Sequence, residues 1–469
     1  MSNCEIENNN YVDPTEKKTP FLAVGIDIGT TTVSACAIDL DSKEQLEYYS
    51  VPHNSYVEKS DFSEQSVSVI MDIAEELLGR IYKEHSNIAC IGITGQMHGI
   101  LYVDSDGKAV SNLINWQDKR ATLPTKDGMN IIQLIKKLTG EDIASGYGIA
   151  THFFNQLNGL IPADAVGLCS IMDYLAMHLC SLRKIITHTS VAASFGLFDV
   201  ERSGFKLDKL SVLGIDKSFL PTVTPSNDIV GKWNGIPVCV AIGDNQASFL
   251  GSVKNNRDSV LVNIGTGSQI SAVGRSSSLG EGLECRPFIN GDGLICGSAL
   301  CGGSSYALIE RFFRDYAAFA GGVEESQYDT MNALAEKAYT SGEAPLSVNT
   351  SFCGTRTDPS RRGSIENIDL YNFTPSALVL GVIDGMCDEL YELYRASGLK
   401  KSRIVASGGA VRRNGILKRV MEDKFGMPVS ITSVKEEAAT GAALFSANAL
   451  GMIQYNDGFA DYIKYEENE

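Results

Sequence analysis

Near the N-terminus, Gly25-Ile26-Asp27-Ile28-Gly29-Thr30-Thr31-Thr32 brings a carboxylate, a glycine and three hydroxyls close together. A turn glycine lets the backbone approach a ligand closely. Hydroxyls and backbone N–H groups beside it can ring a phosphate oxygen. Asp27 would repel that phosphate unless a cation lay between them. Mg²⁺ suits the place, because it takes few carboxylates together with phosphate oxygens and water. An ordinary β-hairpin is the plainer reading, but Asp is depleted in strands. A second acid, Asp244, stands in Gly243-Asp244-Asn245-Gln246-Ala247-Ser248, after the apolar run 238–242 and at the start of a helix. It either caps that helix or serves as general base toward an attacking hydroxyl.

Other polar residues sit beside glycines at the ends of apolar runs. Gly95-Gln96-Met97-His98-Gly99 offers Gln96 and His98 as hydrogen-bonding groups for a polyhydroxylated ligand, although a lone histidine is more often a satisfied turn or core residue. Asn115-Trp116-Gln117-Asp118-Lys119-Arg120 sets an aromatic face, which packs on the C–H face of a sugar, beside an amide and an acid that read hydroxyls. A solvated loop is its plainer reading. Ser145-Gly146-Tyr147-Gly148 beside Thr151-His152 reads as a loop, a lid or a pocket wall. Gly302-Gly303-Ser304-Ser305 opens a helix that could face a ligand. Ser407-Gly408-Gly409 follows the strand 403–406, so the backbone there can meet a flat ligand such as adenine and its ribose. The opening frame returns once: Asp27-Ile28-Gly29-Thr30 is echoed by Asn263-Ile264-Gly265-Thr266. Such a repeat suggests two related lobes, each with one phosphate-binding hairpin.

These residues need elements to hold them. Two or three strands are expected over 21–50, an amphipathic helix over 63–84 and a buried strand over 88–94. A short helix covers 129–138. Residues 164–182 read as strand then helix, with Asp173-Tyr174 between them, and 187–199 as a polar loop running into a short strand. Further helices are expected over 207–214, 306–316, 324–340, 375–396 and 436–450. Alternation of strands and helices predicts an α/β sheet, in which ligands bind beyond the carboxyl ends of strands.

The chain has 469 residues, enough for two or three domains. Its net charge of −17 argues against nucleic acid and anionic membrane as partners, since both need a basic footprint. The apolar runs are too short to predict a transmembrane helix. The polar first twenty residues do not read as a secretory signal, and they look disordered. Eleven Cys without a Cys-x-x-Cys read as reduced thiols of a cytoplasmic protein.

The ordered set Asp-x-Gly-Thr-Thr, Gln-Met-His-Gly, Trp-Gln-Asp, Gly-Asp-x-x-Ala, Ile-Gly-Thr-Gly and Gly-Gly-x-x-x-x-Asn resembles the FGGY carbohydrate kinases over residues 21–450. The resemblance implies two related actin-like (ribonuclease H-like) α/β lobes with a nucleotide and sugar cleft between them. It divides the chain into a tail 1–20, a lobe 21–250, a lobe 251–454 and an acidic tail 455–469. It implies ATP and Mg²⁺, a small-molecule sugar, and transfer of the γ-phosphate to a terminal hydroxyl. Within the family, 95–99 points to kinases of ketoses and related sugars rather than of glycerol, and 116–118, 146–151 and 243–248 look most like those of kinases acting on the ketose sedoheptulose, with xylulose and gluconate kinases as near neighbours. By the same resemblance Asp244 is the base and Asp27 holds the metal, with Asp244 sharing that duty. Gly29, Thr30 and Thr31 line one side of the phosphates, and Gly265 and Thr266 the other. Gly302 and Gly303 lie by the nucleotide, and Gly408, Gly409 and Asn414 by the adenosine. Gln96, Met97, His98, Trp116, Asp118 and Tyr147 face the sugar. Two departures stand out: Asn263 where a Ser or an acid is common, and Arg412, expected to make the adenosine loop bulkier. A sugar sensor that kept the fold and an actin-like ATPase are the rival classes. Pairing of two copies of the chain is left open.

Overall fold

Apolar strands that fill both faces of two sheets carry the architecture. The computed structural model describes residues 21–57, 62–275, 279–322, 324–356, 358, 360–455 and 457–466. The stretch 1–20, expected to be disordered, lies outside them. The first sheet contains β1 (Leu22–Ile28), β2 (Thr32–Asp39), β3 (Gln45–Pro52), β4 (Ile88–Gly95), β5 (Ile229–Trp233), β6 (Ile236–Cys239) and β7 (Ile242–Gly243). Its order is β5-β6-β4-β1-β2-β3, with β7 also pairing with β4. The second contains β8 (Ser259–Ile264), β9 (Ser268–Val273), β10 (Leu283–Pro287), β11 (Gly293–Ala299), β12 (Arg403–Ser407) and β13 (Val429–Ile431), in the order β10-β11-β9-β8-β12-β13.

The repeat seen in the sequence is a repeat of construction. β1 pairs antiparallel with β2 and parallel with β4. β8 pairs antiparallel with β9 and parallel with β12. Asp27 and Asn263 occupy matching places, opposite Ser34 and Gln269, each just before its Ile-Gly-Thr turn.

Several local expectations change. Helix α1 (Val67–Glu84) starts later than 63, because Glu64-Gln65 pairs with Leu113-Ile114 and Ser66 caps the helix. The loop expected over 145–148 runs to Tyr147, and helix α2 (Gly148–Asn158) begins at its last residue and buries Thr151 and His152. Burial nearly all round left no amphipathic stripe to read. His152 Nδ1 bonds the Tyr102 hydroxyl at 2.9 Å, so His152 is core, while Tyr147 of the loop is a cavity wall. Asp173-Tyr174 lies inside helix α3 (Ile171–Leu179), not before it. The polar stretch after 187 contains helix α4 (Thr189–Ser194). The acidic C-terminal segment is docked through 466: Phe459, Tyr462 and Ile463 are buried, and Tyr465 bridges to Thr432.

The two halves share a core. Ala23 and Cys36 from the first sheet cluster with Leu261, Leu294 and Val405 from the second. At its centre, helix α5 (Asp244–Ser252) crosses helix α6 (Glu437–Ala449). The crossing is backbone against backbone. A Cβ on Gly251 would lie 1.9 Å from the Glu437 carbonyl oxygen, and one on Gly441 1.8 Å from that of Ala247. Helix α6 meets the first sheet just as tightly, since a Cβ on Gly25 would lie 1.8 Å from the Ala439 carbonyl oxygen.

Gly79, inside α1, has nothing within 4 Å of its would-be Cβ. The same Gly→Ala change should therefore have opposite signs at two helical sites. Gly79→Ala should stabilise by about 0.5–1 kcal/mol through helix propensity. Gly441→Ala should destabilise by about 2 kcal/mol or more through overpacking. Thermal melts of both variants test this; equal shifts would contradict the tight crossing.

Candidate active site

Strand ends gather the acids. Asp27 lies opposite Thr94, near the carboxyl end of β4, and Gly243 opposite Gly95, the last residue of that strand. Asp27 and Asp244 thus flank one strand end, where open α/β sheets bind ligands. The Asp27 Oδ1 atom is buried with no hydrogen-bond partner. Burial first, then the charges of Asp244 and Glu436, push its pKa up to about 8. Asp244 is also raised by burial, opposed by the Arg286 guanidinium and by its hydrogen bond from the Asn245 N–H at 2.6 Å. Asp244 is the first residue of α5, one place past the cap position Gly243, and no side chain caps this helix, so the capping role weighed for Asp244 is not filled. An orphaned carboxylate oxygen facing further acids fits a divalent cation and fits no anion.

The β1–β2 turn is closed by Gly29 N–H donating to the Thr32 carbonyl at 2.9 Å. Side chains occupy its other oxygens: Gln65 Nε2 donates to the Thr30 carbonyl at 2.9 Å, and Trp116 Nε1 to Thr30 Oγ1 at 2.9 Å. His53 His-ring Nε2 lies 3.2 Å from the Gly29 carbonyl. Thr31 is exposed at the tip.

The β8–β9 turn is laced to the next helix, α7 (Gly303–Phe319). Gly303 N–H donates to the Gly265 carbonyl at 2.8 Å, and Gly302 N–H to that of Thr266 at 2.9 Å. Gly302 and Gly408 support this turn by close approach: a Cβ on either would lie 2.4 Å from a turn or strand carbonyl, of Gly267 and Ile264 respectively. Gly408 also has φ of 97°, which favours glycine. Beside the turn opens a cavity of about 700 Å³ lined by Gly265, Thr266, Gly303, Ser304, Gly409 and Asn414 among others. The Ser304 hydroxyl is buried there without a partner. Asn414 caps the following helix, accepting from Ile416 N–H at 3.1 Å. Arg412 does not crowd this cavity as expected. Its guanidinium turns to Glu437 at 2.6 Å and to the Thr432 and Val434 carbonyls.

A second cavity, of about 170 Å³, is lined by Met97, His98, Tyr147, Ser194, Glu284 and Arg286 among others. His98 has φ of 74° and stacks on Tyr147 with 4.3 Å between ring centroids. Its Nδ1 lies 2.8 Å from the Ser194 carbonyl, an acceptor. Burial, then Arg286, lowers its pKa to about 4. The ring is therefore neutral with its proton on Nδ1, which leaves Nε2 an acceptor. Gln96 Nε2 donates to Gln65 at 3.0 Å, while its Oε1 is buried and unpartnered. Trp116 is 45% exposed and tied to the first turn.

Asp118 departs from expectation. Its carboxylate is fully buried, holding Arg120 at 2.8 Å and the Ser63 N–H at 3.0 Å. It braces the Trp116 loop and is not among the residues around either cavity. The sequence reading also missed Glu284 and Arg286, which belong to no glycine motif. Their spacing on β10 was the available signal, since residues two apart in a strand share a face.

With this geometry in place, similarity to known proteins is informative. The profile of the FGGY family of carbohydrate kinases, N-terminal domain, matches residues 22–251, and that of the C-terminal domain matches residues 264–450. The chain belongs to the FGGY family of carbohydrate kinases. It is an ATP-dependent phosphotransferase acting on a small-molecule sugar. Sedoheptulokinase of Mus musculus is 26% identical over 469 residues, covering 90% of this chain and 96% of that protein. Xylulose kinase of Staphylococcus xylosus is 24% identical over 451 residues, covering 90% of each. The solved structure of ligand-bound xylulose kinase from Lactobacillus acidophilus aligns with a TM-score of 0.81 at 19% identity, over 95% of this chain and 93% of that one. That likeness confirms the expected fold of two actin-like α/β lobes. Among the described residues no helix is long and apolar enough to cross a membrane.

The raised Asp27 pKa has a consequence for stability. The unfolded carboxyl ionises near 3.8 and the folded one near 8, so the folded state loses stability as pH rises between those values. Without ligands or divalent cations, Asp27→Asn should melt higher than the parent at pH 8, and the two should converge at pH 4. Parallel melting curves across that range would contradict the buried, like-charged setting.

Proposed function

We propose that this kinase transfers the γ-phosphoryl group of ATP to the terminal hydroxyl of a ketose, with sedoheptulose, giving sedoheptulose 7-phosphate, as its substrate. Asp244 carries the proposal: a carboxylate opening α5 at the end of β4, in electrostatic reach of Asp27 and of Arg286, which lines the Met97–His98 cavity. The similarity to mouse sedoheptulokinase over nearly the whole chain supports the choice of sugar. Residues 21–250 then form the lobe that holds sugar and metal, and 251–454 the lobe that holds the nucleotide.

In this reading Gln96, Met97, His98, Tyr147 and Trp116 position the sugar. Asp244 takes the proton of the attacking hydroxyl as its oxygen approaches the γ-phosphorus in line. Gly29, Thr30 and Thr31 hold the phosphates from one side, and Gly265 and Thr266 from the other. Gly409, Ser304 and Asn414 border the nucleoside, with Gly302, Gly303 and Gly408 shaping the turn beneath it. Asp27, with Asp244, would hold Mg²⁺, which neutralises charge on the phosphoryl oxygens when bound. Approach of the lobes excludes water and so limits hydrolysis of ATP.

A coupled ADP-release assay with sedoheptulose, xylulose, ribulose, gluconate and glycerol tests the proposal. Sedoheptulose should give the highest kcat/KM. Preference for another sugar would move the substrate to that relative's, and no sugar-stimulated ADP would leave a sensor of the same fold. Asp244→Asn should lower kcat by about 10²–10⁴-fold while sugar affinity changes little. Near-parental turnover would overturn the base assignment.

A further inference from the structure

We propose that Glu284, on edge strand β10 of the second lobe, reads the hydroxyls of the sugar and so selects a neutral polyol over an acid, with Arg286 as its positioning residue. This rests on the kinase reading above and adds a determinant from the lobe assigned to the nucleotide.

Glu284 and Arg286 share one face of β10, and that face meets the first lobe. Arg286 Nη1 lies 3.9 Å from Met97 Sδ, and the Tyr147 hydroxyl donates to Glu284 Oε2 at 3.4 Å. Both residues line the cavity that holds His98. The two oxygens of Glu284 are used unequally. Oε1 accepts from Arg286 Nε at 2.9 Å and from Arg286 Nη2, and Arg356 Nη1 stands 3.8 Å away. Oε2 has the long contact from Tyr147. The Arg286 side chain is 8% exposed and the Glu284 side chain 37%. A fixed guanidinium thus pins one oxygen and leaves the other, with spare lone pairs, open in the cavity. Beside it His98 Nε2 is a second acceptor. Two acceptors suit the donors of vicinal hydroxyls and repel a carboxylate.

The charges around Glu284 make the selection reversible. One carboxylate stands between two guanidinium groups, Arg286 and Arg356. Removing its charge would leave the Arg286 guanidinium uncompensated in the cavity, with that of Arg356 behind it, a setting that favours an aldonate.

The experiment compares the parent, Glu284→Gln and Glu284→Asp on sedoheptulose, xylulose and gluconate, with KM for ATP as control. Glu284→Gln should raise the ketose KM at least tenfold, keep kcat within about threefold, and leave the ATP KM unchanged. It should also raise the kcat/KM ratio of gluconate to ketose at least tenfold. Glu284→Asp, which keeps the charge but draws it back, should raise the ketose KM without moving that ratio. It decides the matter if the Gln variant does not fold. An unchanged ketose KM in either variant, or an unchanged ratio in Glu284→Gln, would overturn the role of Glu284. A parent inactive on every sugar would instead overturn the kinase reading beneath it.

Discussion

Two carboxylates at one strand end cannot both ionise comfortably in a buried place, and that tension organises this molecule. Asp244 has the Arg286 guanidinium to offset its burial. Asp27 has the opposite surroundings, with Asp244 and Glu436 both raising its pKa and one oxygen unpartnered. A protein selected for stability alone would place Asn there, as the second lobe does at Asn263. Keeping the acid costs stability, as strained and unsatisfied groups at functional sites commonly do. In the proposed reaction the same acid would hold a divalent cation.

The tight crossing of α5 and α6 decides where those acids stand. Asp244 opens α5, and Glu436 sits immediately before α6 with a left-handed φ of 52°. Because Gly251 and Gly441 let the backbones touch, both helix starts are held close to the end of β1. The same helices join the two sheets through a common core. The lobes are therefore linked through this core, with the Ser304 cavity beside the β8–β9 turn and the His98 cavity lined from both lobes.

Much of this was legible in the sequence, for physical reasons. The two Ile-Gly-Thr turns interrupt apolar strands, so their spacing survives as pattern, and both form the expected hairpins. The long helix at 375–396 carries a proline at its start and an apolar stripe, and its bounds match. What was hidden depends on contacts distant in sequence. Helix α2 is buried at every position from Gly148 to Asn155, so no solvent face there marks it as a helix. Asp118 looks like a sugar ligand beside Trp116, yet Arg120 and Ser63 claim it. Arg412 looks like bulk at the nucleoside, yet Glu437, on α6, draws it aside. Glu284 and Arg286 sit in an ordinary strand, and only the meeting of the lobes places them against His98.

In the proposed reaction Asp27 stays protonated near neutral pH until a cation displaces its proton. Calorimetry of Mg²⁺-nucleotide binding with sugar present, repeated at pH 7 in buffers of differing ionisation enthalpy, counts the protons exchanged. With a pKa of about 8, Asp27 should release close to one proton on binding, and Asp27→Asn should abolish that release. Binding of equal strength with no proton released by the parent would contradict the account.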